Sequence, residues 1–169
     1  MKKIILAMVA VMVPLMLSAG STDFWFRHFS VEDGLSSSAV RAIMQDKYGF
    51  MWLGTDDGLN RYDGTTIKIY RLNPEGVNDY ISFLYDTTDR IWIGTGDGVY
   101  IYDYETENFE PFKLLTAKGD SIKTNVNHIA EDRDGNLWFS TVGQGIFKYN
   151  VSKRYLERYE FKDADGLMA

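Results

Sequence analysis

One stretch, residues 49–64, reads GFMWLGTDDGLNRYDG and returns twice in altered form. Residues 86–104 read DTTDRIWIGTGDGVYIYDY, and residues 132–150 read DRDGNLWFSTVGQGIFKYN. Asp46, Trp52, Gly58 and Tyr62 align without a gap on Asp86, Trp92, Gly98 and Tyr102. They align on Asp132, Trp138, Gly145 and Tyr149 once a single residue is inserted before that glycine. Gly54 and Thr55 recur as Gly94 and Thr95; the third copy has Ser140 and Thr141 there. The three tryptophans stand 40 and 46 residues apart. A period of this length, built from short strand-like runs, predicts β-propeller blades. One such unit cannot bury its own apolar face, so the copies must stack on each other.

The local pattern within each copy is all-β. Turn signals such as Asp46-Lys47-Tyr48-Gly49, Asp56-Asp57-Gly58 and Asp63-Gly64 separate runs of four to six residues. No stretch after residue 20 carries a convincing 3.6-residue period. The fold class expected is therefore a partial β-propeller of about three four-stranded antiparallel blades, near 38–75, 78–115 and 124–161. The aromatic run at 24–29 reads as an extra strand, and the polar connection 115–124 as a protruding loop. Residues 29–35 (FSVEDGL) resemble residues 161–167 (FKDADGL), as if a further blade began near the end. Three blades fall short of the four to eight of a closed ring. Further blades of a longer protein are thus expected partners, and a homodimer is a second way to cover the apolar faces.

The N-terminus predicts a destination. Lys2 and Lys3 precede a 14-residue apolar run at 4–17, and Ser18, Ala19 and Gly20 follow. That is the layout of a signal peptide over 1–20, leaving 21–169 as the exported propeller. The run is short of the ~20 residues a spanning helix needs. The expected location is periplasmic or extracytoplasmic. The net charge of −6, which becomes −8 without the two lysines, argues against nucleic acid and anionic membranes as partners. With no cysteine, disulfides, thiolate metal sites and cysteine nucleophiles are excluded.

The stretch Phe50-Met51-Trp52-Leu53-Gly54-Thr55-Asp56-Asp57-Gly58-Leu59-Asn60-Arg61-Tyr62, with its two partners, resembles the two-component regulator propeller repeat. The opening, with Asp33-Gly34-Leu35-Ser36 before Val40, Ile43 and Asp46, is similar to that family's opening. The resemblance implies the start of the periplasmic sensor region of a hybrid histidine kinase. It further implies tandem propellers, an immunoglobulin-like domain, a membrane span and a cytoplasmic kinase downstream, with oligosaccharides as the sensed signal. Any membrane contact would run through those downstream parts. Ser140 and the insertion before Gly145 depart from the repeat pattern.

Candidate chemistry is sparse. A tryptophan present once per blade is a packing residue, and Trp25, outside the register, also reads as core. Asp132-Arg133-Asp134-Gly135-Asn136 lacks the later ligands of a calcium loop and reads as a hairpin turn, so no metal is expected. Asp56 and Asp57 are adjacent on a turn and should point apart, unlike a glycosidase pair. There is no G-x-S-x-G elbow, P-loop or zincin histidine pair. No enzyme activity and no cofactor are expected of this chain. The candidate ligand-binding residues are Asn125, Asn127 and His128, at the start of a first strand, because first strands line a propeller's channel. The expected function is non-catalytic sensing of a carbohydrate-derived ligand. The rival classes are a secreted propeller enzyme acting on polysaccharide and a structural or adhesion module.

Overall fold

The computed structural model describes residues 25–73 and 80–160. The expected signal peptide lies outside the described residues. Among the described residues twelve strands form three four-stranded antiparallel sheets, each in simple meander order. Blade 1 comprises β1 (Val40–Gln45), β2 (Met51–Thr55), β3 (Gly58–Tyr62) and β4 (Ile67–Tyr70). Blade 2 comprises β5 (Ile81–Asp86), β6 (Arg90–Thr95), β7 (Gly98–Asp103) and β8 (Asn108–Pro111). Blade 3 comprises β9 (Val126–Glu131), β10 (Leu137–Thr141), β11 (Gly145–Asn150) and β12 (Tyr155–Tyr159). First strands are neighbours across blades: β1 lies beside β5, and β5 beside β9. Among the described residues no helix is long and apolar enough to cross a membrane.

The core lies between blades. One cluster joins Trp52 and Leu59 of blade 1 to Ile81, Leu84, Ile91, Ile93 and Tyr102 of blade 2. The other joins Trp92 and Val99 of blade 2 to Ile129, Phe139, Phe147 and Tyr149 of blade 3. The period-2 alternation of each strand produces this arrangement. Trp92, Gly94 and Val99 share one face of blade 2, while Ile91, Ile93 and Tyr102 share the other. A middle blade therefore needs apolar residues on both faces.

Three expectations fail at the periphery. Residues 25–29 form no strand, because a strand exists by its ladder and they pair with no sheet edge among the described residues. Instead Phe29 packs edge-on against Tyr62 at 4.9 Å, and Arg27 donates to the Tyr62 hydroxyl at 3.1 Å. Trp25, expected in the core, is 93% exposed. The 115–124 connection does not protrude. Thr116 makes a parallel bridge to Leu156 of β12, and Ser121 and Ile122 are buried. Ile122 supplies the apolar area that draws this polar loop onto the blades.

Candidate functional site

The recurring residues are occupied with architecture. The threonine hydroxyls of Thr55, Thr95 and Thr141 donate to the carbonyls of Gly58, Gly98 and Gly145 at 2.9, 3.0 and 2.7 Å, closing the tight turn between second and third strands. Those glycines have φ of 114°, 146° and 78°, a region that disfavours other residues. Gly54 and Gly94 allow the next blade's first strand to approach. A Cβ on Gly54 would sit 2.6 Å from Ile81 Cγ2, and one on Gly94 3.1 Å from the Val126 carbonyl. Trp52 packs on Tyr102 at 5.1 Å, and Trp92 on Tyr149 at 5.7 Å, so each tryptophan meets the repeat tyrosine of the following blade. Trp138 is half-buried and stacks on Tyr159 of its own blade at 5.7 Å.

The first turns are likewise structural. Asp46 accepts from the Tyr48 and Phe50 amides and from the Trp52 indole at 2.7 Å. Asp132 accepts from the Asp134 and Asn136 amides and from the Trp138 indole at 2.9 Å. The Trp138 and Asn136 bonds hold the Asp132 carboxyl well below the usual carboxylate range. Both oxygens are thus taken by N–H donors, which is hairpin-turn chemistry. The sequence alignment of Asp86 on Asp46 and Asp132 does not hold in the structure: the turn of blade 2 is one residue shorter, Thr87 takes that place, and Asp86 pairs with Ile91 at the end of β5. Asp86 accepts from the Tyr104 hydroxyl at 2.9 Å, and burial pushes its carboxyl up. Asp56 and Asp57 do point apart, toward Arg41 and Arg71 respectively.

Variation is concentrated on the inner strands. In every blade the first-to-second strand register slips at one residue, between Val40 and Ala42, Ile81 and Phe83, and Val126 and His128. The bulged positions are therefore Arg41, Ser82 and Asn127. A bulge re-aims a side chain, and bulges collect near functional sites. The backbone just before each bulge is invariant in its bonding. Ala39, Tyr80 and Asn125 carbonyls accept from Asp56, Gly96 and Val142 amides at 3.2, 3.1 and 2.9 Å. Onto this fixed frame the sequence places three different side chains. Arg41 makes a two-pronged ion pair with Asp56 at 2.7 and 2.9 Å, which raises the Arg41 pKa and lowers that of Asp56. Ser82 donates to the Val126 carbonyl at 2.5 Å. Asn127 is exposed, and so is His128, whose ring lies 4.2 Å from that of Phe83.

The structure thus brings Asn125, Asn127 and His128 to one rim, beside Phe83. The Asn125 side-chain oxygen is buried without a hydrogen-bond partner among the described residues. The rim offers donors and acceptors, and among the described residues no nucleophile is held against a base there. Sequence reasoning missed Arg41 and Ser82. The signal was present in the repeat alignment, where Val40-Arg41, Ile81-Ser82 and Val126-Asn127 coincide.

A family model described as "Two component regulator propeller" matches residues 34–57 and 121–143. The two segments are similar to two-component regulator propeller repeats. The matched segments contain the two turns in which aspartate binds tryptophan. Histidine kinase P4 of Formosa agariphila is 56% identical over 59 residues, covering 35% of this chain and 4% of that protein. An extracellular domain named for the hybrid two component system BT3049 of B. thetaiotaomicron superposes with a TM-score of 0.70 at 30% identity. That match covers 79% of this chain and 20% of the other. A second such domain, named for BT4673, gives a TM-score of 0.61 at 24% identity over 89% of this chain and 24% of that one, a likeness of fold. The chain spans a small part of these relatives. In fold it is similar to these extracellular propeller domains.

Proposed function

We propose that the chain is the opening segment of a periplasmic sensor in a hybrid two-component protein, exported by residues 1–20. In this reading it receives a carbohydrate-derived ligand at the inner-strand rim and alters nothing in it chemically. The observation that carries the reading is the repeated bulge. An identical backbone device presents a different polar side chain in each blade, as a reading surface requires and a fold does not. Ligand binding would favour one of two arrangements of the blades, and a kinase elsewhere in the protein would read the shift in population. Further blades, or a second copy, would cover the remaining apolar faces.

Titration calorimetry of the exported protein against a panel of oligosaccharides tests this. At least one sugar should bind and be recovered intact. Asn127→Ala with His128→Ala should weaken that binding about tenfold, the equivalent of 1.4 kcal/mol. Cleavage of the sugar, or failure of every sugar in the panel, would overturn the reading.

A further inference from the structure

The two seams between blades can be compared position by position, and they differ where the fold makes no demand. At the end of the blades that carries the first-to-second strand turns, each seam has a cleft. The cleft between blades 2 and 3 encloses about 230 Å³ and is lined in part by Thr88, Arg90 and Val151. Its counterpart between blades 1 and 2 encloses about 340 Å³ and has Tyr48, Phe50 and Tyr104 at those places. Three aromatic rings therefore stand where the other cleft has a threonine, an arginine and a valine, beside a first turn that is one residue longer in blade 1 than in blade 2. Arg90 in the second seam lies 3.5 and 3.8 Å from the carboxylates of Asp89 and Asp103.

The charged groups differ in the same sense. Arg61 faces Trp52 across the ladder; the equivalent positions hold Ile101 and Lys148. Lys148 is ion-paired with Asp132 at 3.6 Å. Arg61, which also lines the first cleft, has no ion pair or hydrogen bond among the described residues. Its guanidinium stacks over Phe50 at 4.6 Å. The nearby Asp46 carboxylate is already engaged by three N–H donors. Glu107, on the opposite wall, also has no hydrogen-bond or ion-pair partner among the described residues. Tyr48 is 63% exposed, with its ring edge-on to Tyr104 at 5.2 Å. Lys47 fixes this wall, donating to the Thr88 carbonyl with its ammonium 4.3 Å from the Tyr104 ring centre.

We infer that the cleft between blades 1 and 2 is a second binding site, and that it takes a pyranose unit. The inference rests on the carbohydrate reading above and adds a site remote from the inner-strand rim. A pyranose has an apolar C–H face and an equatorial belt of hydroxyls. An exposed aromatic ring fits the first, and an unpaired guanidinium with an unpaired carboxylate fits the second as donor and acceptor. The volume lies within the range of small-molecule sites. Residues that recur in every blade serve stacking. The aromatic set and the unpaired ions are confined to one of two equivalent seams, so stacking does not account for them.

The test is binding of a gluco-oligosaccharide and of an oligogalacturonate to the exported protein, wild type and variants, with melting temperature as the fold control. Tyr48→Ala should weaken binding of at least one sugar about tenfold, or 1.4 kcal/mol. Its exposure makes the fold insensitive to the change. Asn127→Ala with His128→Ala reports on the rim independently. Arg61→Met separates the two ligand sources. A uronate should lose affinity and salt dependence, whereas a neutral sugar should lose affinity alone. Sugar binding that survives Tyr48→Ala unchanged overturns the cleft and leaves the sensor reading intact. Wild-type protein that binds neither sugar overturns the cleft, and failure across the wider panel overturns the carbohydrate reading itself.

Discussion

Trp92 and Trp138 hold the same place in successive blades and meet different surroundings. Trp92 is 3% exposed, enclosed by Phe112 of its own blade and by Phe139 and Tyr149 of the next. Trp138 is half-buried and lies between Tyr159 and the Lys148 ammonium, both from its own blade. The own-blade stacking also occurs in blade 1, where Trp52 lies over Tyr70 at 5.8 Å. What Trp138 lacks among the described residues is the following blade's tyrosine. The burial of the repeat tryptophan therefore belongs to the interface and not to the blade. The glycine two residues on follows the same logic. Gly54 and Gly94 face an incoming strand, whereas blade 3 carries Ser140.

The largest expected effect tests this contrast directly. Trp92→Ala should cost ~3–5 kcal/mol, as for a buried aromatic. Trp138→Ala should cost less than about 2 kcal/mol in the same chain. Denaturant unfolding of both variants decides. Equal losses would place the tryptophan's contribution within its own blade.

Next comes the close approach. Gly54→Ala puts a methyl group into Ile81 and should cost about 1–3 kcal/mol as overpacking. Ser140→Ala should be near neutral, within about 0.5 kcal/mol. Melting curves of the two variants, read against wild type, sharpen the comparison. A silent Gly54→Ala would mean that blade 2 can move away without loss.

An effect of similar size concerns the polar exception on the outer face of blade 1. Asn60 is fully buried where the other blades have Tyr100 and Phe147. It accepts from the Ser36 amide at 2.9 Å and donates to the Ser36 hydroxyl and the Leu53 carbonyl at 2.8 and 3.2 Å. Asn60→Ala leaves the Ser36 amide without its acceptor and should cost about 1–3 kcal/mol. Hydrogen exchange should show the loss first in residues 30–36. Unchanged protection there would mean that Leu35, also buried, anchors the segment alone.

The smallest effect is in pH dependence, where two aspartates next to the first turns of blades 2 and 3 oppose each other. The Asp132 carboxyl is depressed by its Trp138 and Asn136 bonds. Its contribution is present above the unfolded value of about 3.9 and is lost as pH falls toward the folded one. The Asp86 carboxyl is raised, chiefly by burial. Its protonated form favours the fold, so stability falls as pH rises from about 3.9 through the folded value. Asp132→Asn should flatten the acid limb of a stability–pH curve, and Asp86→Asn should steepen it. Shifts of the same sign in both variants would break the contrast.

Much of this was legible in sequence, and the reasons are local. Asp-x5-Trp spacing in blades 1 and 3, and threonine-to-glycine turns and period-2 runs in all three, define the hairpins from within about fifteen residues of chain. Trp25 and the run at 24–29 were misread for the complementary reason: aromatic content favours a strand, but a partner edge far away in sequence decides whether one forms. The 115–124 loop was misread because Thr116 meets Leu156, a pairing that no local signal announces. The rim of Asn125, Asn127 and His128 could be located, but not its bulge. The aromatic cleft was not seen at all, because Tyr48 and Tyr104 lie 56 residues apart on different blades.

The amino-acid sequence alone determined the blade. The repeat sets which residues turn, which pair and which face carries the tryptophan, all through contacts within one meander. Tertiary structure decided what each blade face meets, and hence which tryptophan is enclosed, which glycine is obligatory and which ions stay unpaired. The physical reason is that hydrogen-bonded ladders are satisfied inside a blade, whereas burial and desolvation arise where one blade lies against another.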